Sequence, residues 1–124
     1  MERTPDASET GIDAAKAASV ILASLDEDKA EDIVSIDIAG KSSVADTIVV
    51  ASGRSQRHVA ALADHLMEKL KAAGGDARAE GLPNADWVLI DAGDVIVHLF
   101  RPEVRAFYNI EKIWLPASAK PSAA

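Results

Sequence analysis

Apolar positions along the chain fall alternately into helical and strand periods. Ile12, Ala15, Ala18, Leu22 and Leu25 recur at spacings of three and four, which predicts an alanine-rich helix over about residues 12–26 with those side chains inward. From Ile33 to Ile38 the period drops to two, with Ile33, Ser35 and Asp37 alternating with Val34, Ile36 and Ile38, so a strand with one buried face is expected. Thr47 to Ala51 is an unbroken apolar run of the kind found in a strand covered on both faces. Ser55 can cap a helix from Gln56 to about Ala73, with Val59, Leu62, Ala63, Leu66 and Leu70 as its apolar stripe and Gly74-Gly75 as its stop. Asp76 to Glu80 reads as an edge strand. Trp87 to Asp91 and Val95 to Phe100 are short runs rich in β-branched residues, and the Asp91-Ala92-Gly93-Asp94 link is short enough for a tight hairpin. After Arg101, Pro102 and Glu103 suit the first turn of a helix carrying Val104, Phe107, Tyr108 and Glu111.

Strands and helices mostly alternate before the final hairpin. The expected fold class is therefore α/β, a mixed β-sheet of about five strands packed with helices. Residues 12–114 form the expected domain, between a flexible segment at 1–11 and a tail at 115–124 whose Ala, Ser, Pro and Lys side chains have little to pack.

The hairpin decides what Trp87 faces. A two-residue loop at Ala92-Gly93 puts Trp87 across from His98, with Leu89, Asp91, Asp94, Ile96 and Phe100 on the same face; a three-residue loop pairs Trp87 with Leu99. The first register is expected. A face mixing Trp, His and Asp with apolar side chains suits an interface better than a dry core, since tryptophan is enriched at binding hot spots.

Composition narrows the function. The 124 residues are 48% hydrophobic and 27% charged, ordinary for one globular domain. The net charge of −7 is unevenly placed: residues 1–50 hold 11 acids and 4 bases, residues 51–124 nine of each. Such a chain lacks the basic patch of a sequence-independent nucleic-acid binder, and a basic protein is the better-matched partner. No sequence-specific nucleic-acid contact is expected either. Absence of cysteine rules out disulfides and thiolate metal sites, no apolar run approaches spanning length, and Glu2, Asp6 and Glu9 are unlike a targeting peptide. The expected setting is a bacterial cytoplasm, away from membranes. The acidic run Asp26-Glu27-Asp28 ends the first helix against its dipole and reads as a solvated turn.

Candidate chemistry is thin. Gly40-Lys41-Ser42-Ser43 resembles the end of a phosphate loop, but the upstream glycine is missing and a strand follows. Ser52, Ser55 and His58 lie close together without a nucleophile elbow, and His58 and His65 stand too far apart on one helix to share a metal. His98 beside apolar neighbours reads as a hydrogen-bonded sheet residue. The expectation is a protein that is not an enzyme, with no cofactor and no metal. The alternative is a nucleotide-binding enzyme or sensor using Ser52 to Ser55 at a helix N-terminus.

The stretch EGLPNADWVLIDAGDVIVHLFRPEVRAFYNIEKIW, from Glu80 to Trp114, resembles the Iojap-like ribosomal silencing factors in its EG turn, W-V-L-x-D strand, GD-V-I-V-H and P-E-x-R-x-F-Y helix ending in E-K-x-W. Lys29-Ala30-Glu31-Asp32-Ile33, Lys41-Ser42-Ser43, Ala45-Asp46 and Ser52-Gly53-Arg54-Ser55 fit the same family in the same order, so the resemblance runs from about Asp13 to Trp114. Thr47 departs from the aromatic residue common there. The resemblance implies a nucleotidyltransferase-like scaffold without its active site, since Asp76 to Glu80 lacks the close carboxylate pair that two-metal chemistry needs. It also implies binding to the large ribosomal subunit through that subunit's fourteenth protein, a steric block to joining of the small subunit, repression of translation when nutrients are scarce, and a homodimer. The expected contact residues are Gly81, Asp86, Trp87, Leu89, His98, Phe100 and Tyr108.

Overall fold

A computed structural model describes residues 12–40, 45–81 and 86–110. The expected flexible ends, the Lys41-Ser42-Ser43 turn and Glu111 lie outside the described residues. The elements run α1 (Ala14–Glu27), β1 (Glu31–Asp37), β2 (Thr47–Ser52), α2 (Gln56–Ala72), β3 (Arg78–Glu80), β4 (Trp87–Asp91), β5 (Val95–Phe100) and α3 (Pro102–Tyr108). One five-stranded sheet has the order β1-β2-β5-β4-β3, in which β2 and β5 are parallel and the other neighbours antiparallel. It is the mixed α/β sheet that the pattern predicts.

The unbroken apolar run in β2 is explained by its place between β1 and β5. Val49 and Ala51 join the core beneath α1 and α2, together with Val88, Ile90, Val97 and Leu99. Ile48 and Val50 point to the opposite side, where a second cluster gathers Ile36, Ile38, Ala45 and Phe100. α2 behaves as its sequence predicts. Ser55 Oγ accepts from the His58 amide at 3.1 Å, the stripe from Val59 to Leu70 is buried, and Lys69 and Lys71 sit favourably at the C-terminal end of the dipole. The amides of Gly74 and Gly75 close that end on the carbonyls of Lys71 and Leu70.

Three expectations change. The buried face of α1 is Ala17, Ile21, Ser24 and Leu25, while Ala15 is exposed. Asp13 caps the helix through the Lys16 amide, so Ile12 precedes it, and the bulk of Ile21 sets the rotation that small alanines leave open. The acidic run is no free turn: Glu27 pairs with Lys69, which holds that ammonium above its ordinary value, and the Asp28 carboxylate accepts from His65 Nδ1 at 2.8 Å. The Asp28 carbonyl accepts from His58 Nε2 at 3.0 Å, so the two histidines of α2 fasten α1 rather than share a metal.

The hairpin register is the third. Trp87 pairs with Phe100, Leu89 with His98 and Asp91 with Ile96, so Trp87 does not lie across from His98 as expected. The loop is Gly93-Asp94, closed by the Ala92 amide on the Val95 carbonyl at 2.9 Å. Gly93 takes φ +85 at the first loop position, where a II′-type turn favours glycine, and its amide donates to Asp91 Oδ1. The slip is two residues, so the expected residues still share a face. Asp94 alone moves from strand to loop.

Candidate protein-binding face

Among the described residues, α1 and α2 cover one side of the sheet, and on the other α3 reaches only part of it. The half-covered side is where β4 and β5 present Trp87, Leu89, Ile96 and His98, all partly buried. Phe100 lies fully buried among them and is the floor of the cluster. The Trp87 ring packs on Phe100 and on Tyr108, with centroids 4.8 Å apart in each case, while His98 and Phe100 stack nearly parallel at 6.1 Å. α3 then carries the aromatic surface outward: Tyr108 is 52% exposed and Phe107, edge-on to it, 80%. Trp87 is thus neither dry core nor free surface.

Electrostatics shape this face from two directions. Trp87 Nε1–H donates to His98 Nδ1 at 3.1 Å, which requires Nδ1 unprotonated and leaves the proton of the neutral ring on Nε2. Burial pushes the His98 imidazole down to about 4 from its usual 6.5, in agreement with that bond. At the mouth of β4, Asp86 Oδ1 accepts from Gln56 Nε2 at 2.9 Å and from Arg101 Nε at 2.8 Å. These two donors, Gln56 first, hold its carboxyl below the ordinary carboxylate value. Arg101 also pairs with Glu103 in the first turn of α3. The rim is therefore polar and internally paired around an apolar centre, the usual anatomy of a protein contact.

The seven expected contact residues come together only in part. Trp87, Leu89, His98, Phe100 and Tyr108 share the face, Phe100 as support rather than contact because it has no exposed surface. Asp86 belongs to the rim. Gly81 adjoins a cavity of about 220 Å³ that Glu80, Trp87 and Leu89 also line. Its φ is +94, and a Cβ there would stand 2.3 Å from the Trp87 carbonyl oxygen, so a glycine is needed where the exposed chain at Gly81 passes the backbone of Trp87. Phe107, four positions past the helix-starting Pro102-Glu103 and 80% exposed, was not among the expected contact residues.

Four amides of the alternative site are taken up by its own chain. In the turn after β2 the Gly53 amide donates to the Phe100 carbonyl and the Arg54 amide to His58 Nδ1, while the His58 and Val59 amides cap onto Ser55. Those donors are unavailable to a phosphate. Among the described residues no group of three or more His, Cys, Asp or Glu could hold a metal, and no helix is long and apolar enough to cross a membrane.

The profile of a family described as "Ribosomal silencing factor during starvation" matches residues 12–123. The chain is 53% identical over 112 residues to the ribosomal silencing factor RsfS of Zymomonas mobilis, covering 90% of this chain and 84% of that one. It is 30% identical over 99 residues to the mouse mitochondrial assembly of ribosomal large subunit protein 1, covering 77% of this chain and 43% of that longer protein. A crystal structure of a Chromobacterium violaceum protein superposes with a TM-score of 0.81 at 37% identity, covering 90% of this chain and 97% of that one. The nucleotidyltransferase likeness is not brought out by these comparisons.

Proposed function

The chain belongs to the ribosomal silencing factor family, and from that membership we propose that it binds the large ribosomal subunit and sterically blocks joining of the small one, so repressing translation when nutrients are scarce. The mouse relative, named for assembly of the large subunit, supports that choice of subunit. The observation that carries the reading is the aromatic face: Phe107 and Tyr108 exposed on α3 over Trp87, with a paired polar rim. A face of this composition gives a hot spot its two requirements, a large apolar anchor and a rim that excludes water.

The fourteenth protein of the large subunit is the proposed contact. An acidic chain of net charge −7 is matched to a basic ribosomal protein. The action is steric and takes place in the cytoplasm, with no chemical step and no cofactor. A homodimer is the proposed resting form, because the same half-covered face would be shielded in it. The test is sedimentation of the purified protein with separated ribosomal subunits. Comigration with the large subunit alone is expected; comigration with neither, or equally with both, contradicts the reading.

A further inference from the structure

α3 has seven residues and none of them is buried, so it is too short to persist on its own and depends on what fastens it. Arg101 ties the start of the helix to Asp86, and beyond that cap a single nitrogen ties its middle to distant strands. Arg105 Nη1 donates to the Asp32 carbonyl at 2.8 Å and to Ser52 Oγ at 2.9 Å, reaching 73 and 53 positions back along the chain. Both acceptors are prepared for it. The β1–β2 register slips between Glu31 and Val34, and Asp32 within that slip takes φ +50, the left-handed region that aspartate enters more readily than most residues. The irregularity leaves the Asp32 carbonyl outside the ladder and turned to the guanidinium. Ser52, at the end of β2, is only 2% exposed and meets the guanidinium from beneath α3.

We propose that Arg105 is the positioning residue of the aromatic face: by tying α3 to the β1 bulge and to the end of β2, it fixes where Tyr108 and Phe107 stand. Tyr108 meets Trp87 only if α3 lies at its observed angle, and Val104 packs on the second core cluster from the same helix. The helix is otherwise closed by the Arg105 amide on the Arg101 carbonyl and the Asn109 amide on the Arg105 carbonyl, bonds that report its docking. The part of the inference that concerns binding rests on the proposed function; the part that concerns docking of α3 does not.

The test uses Arg105→Met, which keeps the apolar stem and removes the donors, Ser52→Ala, which removes one acceptor, and the double variant. Amide hydrogen exchange on the free protein is expected to rise roughly tenfold at Arg105 and Asn109 in both single variants, with the strands unchanged. Affinity for purified large subunits is expected to fall roughly tenfold in Arg105→Met and by less in Ser52→Ala, the double variant being no weaker than Arg105→Met. Ser52 is too buried to touch a partner, so its effect must pass through Arg105. Unchanged exchange in α3 overturns the latch, whatever the ribosome does. Faster exchange with unchanged affinity overturns the link to the face. If Arg105→Met loosens the whole chain, the milder Ser52→Ala decides by the same readouts. A wild-type protein that binds no large subunit would sink the proposed function, while exchange alone would still judge the latch.

Discussion

Trp87 donates its indole N–H to His98 Nδ1 at 3.1 Å, although the two residues are diagonal rather than opposite in the β4–β5 ladder. Indole is only a donor, so the bond exists only while Nδ1 is unprotonated. His98 is held neutral by burial, with its value lowered to about 4.

That relationship makes stability depend on pH with a fixed sign. The unfolded chain takes up a proton on His98 near its ordinary value of 6.5, whereas the folded chain does so only near 4. The contribution of His98 is full above about pH 6.5, is lost as pH falls towards 4, and is flat below. On the order of 2 kcal/mol is at stake, allowing for partial exposure of the ring. Denaturation midpoints between pH 7 and 4.5, compared with His98→Gln, isolate it from the carboxylates and other histidines. Wild type should lose more stability than the variant over that range, and equal losses would contradict the neutral His98.

The aromatic residues should separate by burial. Phe107→Ala removes a ring that is 80% exposed, so stability should change by less than about 0.5 kcal/mol while affinity for large subunits falls about tenfold. Phe100→Ala empties a fully buried site and should cost about 3–5 kcal/mol of stability. Trp87→Ala should do both, losing about 1–3 kcal/mol of stability and about thirtyfold in affinity, because its ring is half core and half surface. Urea denaturation and a binding titration on the three variants check the order. A Phe107→Ala protein that melts early, or binds as wild type does, breaks it.

Much of this was legible before the structure. The two-sided burial of β2 follows from an apolar run with no alternation, and the α2 stripe from its 3.6 period. Register was not. Ala92-Gly93 and Gly93-Asp94 both offer a two-residue loop, but only the second places glycine first, as a II′-type turn prefers, a signal that the expected register passed over. The face of α1 was ambiguous because alanine fits either side of a helix. The Arg105 contacts with Asp32 and Ser52 join residues far apart in sequence, so no local pattern marks them. The composition of the face was visible even with the register wrong, since a slip of two preserves parity.

Ser24 gives a stabilising prediction. Its hydroxyl is buried within α1 and, among the described residues, has no hydrogen-bond partner. Ser24→Ala removes that desolvated group and improves helix propensity, so it should stabilise by about 1 kcal/mol. A lower urea midpoint would mean the hydroxyl is satisfied in solution, by water or by a rotated side chain.

Charge should act on encounter. If the acidic chain is steered to a basic ribosomal protein, association should slow about tenfold from low to physiological ionic strength while dissociation hardly changes. Stopped-flow association at several salt concentrations measures this. A rate indifferent to salt would remove steering from the account and leave the aromatic face as the whole of recognition.

Whether this protein keeps ribosomal subunits apart by occupying the large one is decided by mixing separated large and small subunits under joining conditions with increasing amounts of the protein and resolving them on a density gradient. Joined ribosomes should decline as the protein is added, the protein should travel with the free large subunits, and Trp87→Ala at the same concentration should leave joining intact. Joined ribosomes that form undiminished with the protein bound to them would contradict the steric block.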